Sequence, residues 1–121
     1  DQWGAPTSST TIADATVHIL QAWQAEHSGI YHITNQGATT WCGFAQQILT
    51  EYARLAREKH WPELKAHAQS IRAITTAEYP TPAQRPTNSR MQLDKLQQIL
   101  GVTTSPWEIA LAEVMEQLEL N

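Results

Sequence analysis

The sequence predicts a helix-dominated α+β domain of about four helices with two or three short strands. Apolar residues recur at helical spacing in four separate stretches. Two stretches rich in β-branched residues, 29–34 and 70–76, are too short and too scattered to form a parallel sheet of their own. The chain of 121 residues, 41% hydrophobic and 17% charged, is enough for one core and too little for two, so residues 1–121 read as one domain.

Residues 1–11, DQWGAPTSSTT, hold Gly4, Pro6 and a run of hydroxyl side chains, an irregular segment ending in several possible helix N-caps. A first helix follows, with Ile12, Thr16, Ile19, Leu20 and Trp23 as its apolar stripe and Ser28 and Gly29 as its stop. Residues 29–34, GIYHIT, read as a short buried strand bounded by the turn at Asn35, Gln36 and Gly37. Thr39 or Thr40 then caps a second helix, whose inward positions are Trp41, Phe44, Ala45, Ile48, Tyr52 and Leu55.

Residues 57–70 are polar and read as the end of that helix and a connection; residues 70–76, SIRAITT, offer a second short strand. In EYPTPAQRPTNSRM, residues 78–91, Pro80, Pro82 and Pro86 each remove a backbone donor, so the segment is extended but is no central strand. Leu93, Leu96 and Leu100 mark a short helix stopped by Gly101. The last helix has the clearest start: Ser105, Pro106, Trp107 and Glu108 spell a capping box with proline at the first helical position. Its stripe is Trp107, Leu111, Val114, Met115 and Leu118.

Composition excludes several functions. Eight basic residues against twelve acidic ones give a net charge of −4 with no basic run, which disfavours a nucleic-acid partner. No stretch reaches the ~18–20 apolar residues that span a bilayer, and the start, Asp1-Gln2-Trp3-Gly4, lacks the features of a signal peptide. The single Cys42 offers no internal disulfide, which suits a cytoplasmic protein, and reads as a small residue packed under Trp41. Glycines 4, 29, 37, 43 and 101 form no phosphate loop or dinucleotide fingerprint, and the five histidines show no metal-ligand spacing, so no metal is expected.

One segment resists a purely structural reading. In residues 82–90, PAQRPTNSR, Arg85, Asn88 and Arg90 sit on proline-stiffened chain that loses little conformational entropy on binding. In an extended run Asn88 and Arg90 share a side and Met91 takes the other. Planar guanidinium forks suit a phosphate or diphosphate. Spacing alone fits equally well with a surface loop whose arginines pair with nearby carboxylates. Asp1, Gln2 and the Thr7–Thr11 hydroxyls can also meet a ligand, although caps and turns explain hydroxyl clusters more often. Tyr31 and His32 are candidates for a pocket at a strand end, but a strand aromatic is more often core.

Taken in order, DQWGAPT, GIYHITNQGATTWCGFA, EYPTPAQRPTNSRM and SPWEIAL resemble the C-terminal part of the dTDP-4-dehydrorhamnose reductase family, extended short-chain dehydrogenase/reductases. The resemblance runs through nearly the whole chain and is weakest over 54–69. It implies the smaller, substrate-binding part of an enzyme that reduces dTDP-4-dehydro-L-rhamnose to dTDP-L-rhamnose for cell-surface polysaccharide. NADH or NADPH would be held by an N-terminal Rossmann part, so this chain is expected to bind no cofactor.

The family's Tyr-x-x-x-Lys is absent, since Asn35, Ala56 and Ala83 stand four residues after Tyr31, Tyr52 and Tyr79. The resemblance therefore implies no catalytic residue here. The substrate-side positions it implies are Gln2 and Thr7 in the first motif and Arg85, Asn88 and Arg90 in the last. The expected partners are a dTDP-sugar and the Rossmann half. An apolar face left bare without that half implies a possible homo-oligomer. Two other readings stay open: a non-catalytic regulatory relative of the same fold, and an independent helical interaction module.

Overall fold

The computed structural model describes residues 1–119. Its elements in chain order are β1 (Trp3–Gly4), α1 (Ser9–Ala22), β2 (Thr39–Thr40), α2 (Trp41–Lys59), α3 (Asp94–Leu100) and α4 (Trp107–Glu116). Single 3₁₀ turns lie at Ala25–His27, Ala68–Ser70 and Thr76–Glu78. The four predicted helices are present; the strands are not where the sequence puts them.

In α1 the hydroxyl cluster supplies the cap, Ser8 Oγ accepting from the Thr11 amide at 3.0 Å. Most of the predicted stripe faces outward, and only Ile19 of it points inward. The inward row is Thr11, Ala15 and Ile19, with Ala15 buried and the other two half-buried, while Ile12, Thr16, Leu20 and Trp23 point outward and Leu20 is 71% exposed. Periodicity identifies two rows one residue apart, and the thinner row lets α1 approach Leu96 and Leu100 of α3. The helix also ends before Ser28, because Trp23 turns extended with ψ 136°.

Residues 29–34 form no ladder: Ile30 is 81% exposed, and only Tyr31 and Ile33 lean on the core. A strand needs a strand beside it, and here the neighbours are side chains. Lys95 Nζ donates to the Ile30 carbonyl at 2.9 Å and Thr104 Oγ1 to that of Thr34 at 2.7 Å. Residues 70–76 likewise form no strand. The Thr75 and Glu78 side chains bond the local backbone reciprocally and wind the chain into a turn.

The sheet that does form is β1 against β2, antiparallel, with Trp3 opposite Thr40 and Gly4 opposite Thr39. On its other side Trp3 takes a parallel bridge to Asn88: its amide donates to the Thr87 carbonyl at 2.9 Å, and the Ser89 amide donates to the Trp3 carbonyl at 2.8 Å. The proline segment is thus extended and lies at an edge, as its missing donors require.

Thr40 Oγ1 caps α2 through the Gly43 amide at 3.1 Å, and Leu55 at its far end is fully buried with Trp61, Trp107, Leu111 and Met115. The helix closes on His60, left-handed at φ 56°. His60→Gly is expected to raise stability by about 0.5–1 kcal/mol, read as a higher midpoint in thermal unfolding, because glycine pays no Cβ penalty there. α3 already closes on such a glycine, Gly101 at φ 65°.

The predicted capping box of α4 does not form. Pro106 occupies the N-cap position, and Ser105 is engaged elsewhere, its carbonyl and hydroxyl both meeting Asn35 Nδ2 at 2.9 and 3.2 Å. Trp107, Ala110, Leu111 and Met115 are buried, whereas Val114 and Leu118 are partly exposed and Leu118 lies past the helix end. Outside the core, Arg54 on α2 bridges Glu51, Glu58 and Glu116 at 2.8–3.0 Å. That network holds the Arg54 pKa up and, through Arg54 first, the Glu116 carboxyl down.

Candidate functional site

The site is built where β1, the amino end of α2 and the proline segment meet. Gly4 makes the approach possible, since a Cβ there would stand 2.8 Å from Ser89 Oγ. Between these elements opens a cavity of about 580 Å³, with Gln2, Trp3, Thr7, Trp41, Phe44 and Arg85 among its walls. Among the described residues Arg85 is the sole cation on the wall and no carboxylate lines it, and the amino end of α2 borders it, so the electrostatics favour an anion.

Of the five residues singled out from the sequence, three lie in this wall. Arg85 is exposed and makes no ion pair or side-chain hydrogen bond among the described residues. Gln2 donates through Nε2 to Thr76 Oγ1 at 3.1 Å, which leaves its carbonyl oxygen open. Thr76 is held in turn by the Asp1 carboxylate, which accepts from its amide at 3.0 Å and its hydroxyl at 2.7 Å. In the same turn, the Thr75 amide and then its hydroxyl hold the Glu78 carboxyl below its ordinary value. Thr7 is locally committed: its hydroxyl donates to the Ala5 carbonyl at 2.9 Å and accepts from the Asn35 amide at 3.2 Å.

Asn88 and Arg90 are not wall residues. They share a side, as alternation requires: Asn88 Oδ1 accepts from the Arg90 amide at 3.1 Å and from its Nε at 2.9 Å. The Arg90 guanidinium lies over the Trp3 ring, 5.7 Å from its centroid. Neither Arg85 nor Arg90 pairs with a carboxylate among the described residues, and the ion pairs fall on Arg54 and Lys59 instead. Cys42 is half-buried and lies outside the wall; Tyr31 and His32 are also elsewhere.

Sequence reasoning missed the aromatic part of the wall. Trp3 carried no assignment beyond its motif, and Trp41 was counted among the inward positions of α2. Trp41 is instead 64% exposed, with Phe44 beneath it. Position gives no signal that separates them, since Trp107 also opens a helix beside turn-forming residues and is buried.

Among the described residues, no group of three or more His, Cys, Asp or Glu could hold a metal, and no helix is long and apolar enough to cross a membrane. The residues present do not fit a dinucleotide either. None of the three positive-φ glycines, Gly29, Gly37 and Gly101, belongs to a phosphate-cradling strand–turn–helix.

The chain is similar to known proteins. The profile described as RmlD substrate binding domain matches residues 1–120. Curated dTDP-4-dehydrorhamnose reductases are similar: that of Shigella flexneri is 32% identical over 98% of this chain and 38% of its own length. That of Sinorhizobium fredii is 36% identical over 89% and 35%. A crystal structure of a dTDP-4-dehydrorhamnose reductase from Clostridium acetobutylicum superposes with a TM-score of 0.77 at 26% identity, covering 96% of this chain and 36% of that one. The chain thus spans somewhat over a third of the length of these relatives, and over that span it belongs to the RmlD substrate binding domain family.

Proposed function

We propose that this chain holds the nucleotide sugar in a dTDP-4-dehydrorhamnose reductase, which reduces the 4-keto group of dTDP-4-dehydro-L-rhamnose to give dTDP-L-rhamnose in the cytoplasm. The observation that carries the reading is the cavity where three of the stretches that carry the family resemblance converge, with Arg85 as its sole cation and no carboxylate on its wall among the described residues. Arg85 donates its planar fork to the diphosphate, the Gln2 carbonyl oxygen accepts a hydroxyl of the ligand, and Thr7 fixes the chain that carries them. Asn88 and Arg90 act from behind, by setting the Trp3 ring.

Hydride delivery from NADH or NADPH and proton delivery belong to the remainder of the reductase, since this chain offers neither a dinucleotide cradle nor a Tyr-x-x-x-Lys. The relatives named as reductases favour this reading over a regulatory one. Titration calorimetry with dTDP-L-rhamnose is expected to give saturable heat at millimolar ligand. No heat from a chain with helical circular dichroism would overturn the reading.

A further inference from the structure

Two stretches of the cavity wall belong to different elements: residues 5–7, which lead into α1, and Trp41 with Phe44 at the amino end of α2. A pocket binds tightly when its walls hold their spacing before the ligand arrives. β1 and β2 join the two stretches at one end, but over only two residues each, and so short a ladder is marginal by itself.

A second tie runs behind the cavity, through the turn at residues 35–37. On one side, the Asn35 amide donates to Thr7 Oγ1 at 3.2 Å, and the Thr7 hydroxyl donates to the Ala5 carbonyl at 2.9 Å. On the other, the Gln36 amide donates to the Ser105 carbonyl at 2.9 Å and the Trp107 amide to the Gln36 carbonyl at 3.0 Å. Gly37, at φ 84°, brings the turn against the Trp107 ring, where a Cβ would stand 3.1 Å from Cδ1. Trp107 meets Phe44 edge-on, centroids 5.9 Å apart at 71°, and Phe44 meets Trp41 at 6.5 Å and 64°.

The Asn35 side chain locks this turn to both sides. It is 1% exposed, and it commits Oδ1 to the Ser8 amide and Nδ2 to Thr11 and Ser105. Neither helix needs it in order to start, since α1 has its own cap in Ser8 and α4 begins behind Pro106. A buried amide whose bonds are all met by separate segments fixes how those segments sit together.

We infer that Asn35 is a positioning residue for the nucleotide sugar: it lines no part of the cavity, and it sets the spacing between the wall at residues 5–7 and the aromatic wall. This rests on the nucleotide-sugar reading above.

The test is titration calorimetry of this chain with dTDP, run below the onset of unfolding seen by circular dichroism, so that only folded protein is titrated. Asn35→Ala is expected to weaken dTDP at least ~5-fold. Leu100→Ala, in the core between α1 and α3 and away from the cavity, also lowers the unfolding midpoint and is expected to leave dTDP within ~2-fold of wild type. Thr7→Val removes the hydroxyl that the Asn35 amide meets and is expected to weaken dTDP, with Thr7→Ser restoring it. Both changes act through one connection, so the double variant is expected to lose less than the product of the two single losses.

If Asn35→Ala binds dTDP as wild type does, if Leu100→Ala loses as much, or if the two single losses multiply, the positioning role is refuted and the nucleotide reading stands. Should Asn35→Ala not fold, Thr7→Val decides, and wild-type affinity there refutes the role. If the folded wild-type chain binds no dTDP, the reading fails and the positioning role with it.

Discussion

Replacing Asn35 with alanine is expected to cost about 2–4 kcal/mol of stability, seen as a fall of about 10 °C in the midpoint of thermal unfolding. The Asn35 side chain is 1% exposed, and every polar atom on it is used. Oδ1 accepts from the Ser8 amide at 3.1 Å; Nδ2 donates to Thr11 Oγ1 at 3.0 Å and to the Ser105 carbonyl at 2.9 Å. One amide thus ties the entry to α1 to the entry to α4. Alanine leaves the Ser8 amide without its partner, takes one of two donors from the Ser105 carbonyl, which keeps the Gln36 amide at 2.9 Å, and opens a void where the side chain stood.

Asn35→Asp keeps the shape and separates the two effects. An ionised carboxylate meets the Ser105 carbonyl where the amide donated, so at neutral pH the loss is at least as large as for alanine. Burial raises the pKa of the introduced carboxyl above its unfolded value, so its neutral, donating form returns as pH falls. The stability gap to wild type should therefore narrow toward acid pH for Asn35→Asp and stay constant for Asn35→Ala. A loss below about 1 kcal/mol for Asn35→Ala would show that water already reaches the cluster.

Asn35 also shows where the sequence stops being legible. Spacing marks it as the first residue of a turn, but nothing in the order of residues says that 7–11, 35 and 105 meet. The helices are legible because their causes are local: the 3.6-residue repeat from Phe44 to Leu55, the hydroxyl caps at Ser8 and Thr40, and the glycine after Leu100. Most of the predicted α1 stripe, all but Ile19, points outward because a repeat reports a face without reporting what lies opposite. Residues 29–34 carry the composition of a strand, and composition supplies no partner. At the site, Arg85 was legible because prolines on both sides stiffen it. The tryptophans were not, since a large aromatic in a helical pattern defaults to core.

In a reductase of the relatives' full length that carries this domain, Arg85→Ala is expected to raise the KM for the dTDP-sugar about 10- to 100-fold and to leave kcat within about threefold. A charge-assisted, two-pronged bond to a diphosphate contributes about 1.5–3 kcal/mol, and the diphosphate is unaltered between ground and transition states. An interaction equal in both states is uniform binding, which sets KM and leaves the chemical step alone. Arg85→Lys should recover part of the loss, because an ammonium supplies the charge without the fork. Arg90→Ala should have a smaller effect, through loss of the cation over Trp3. A fall in kcat with KM unchanged in Arg85→Ala would place that guanidinium against the reacting sugar instead of the diphosphate.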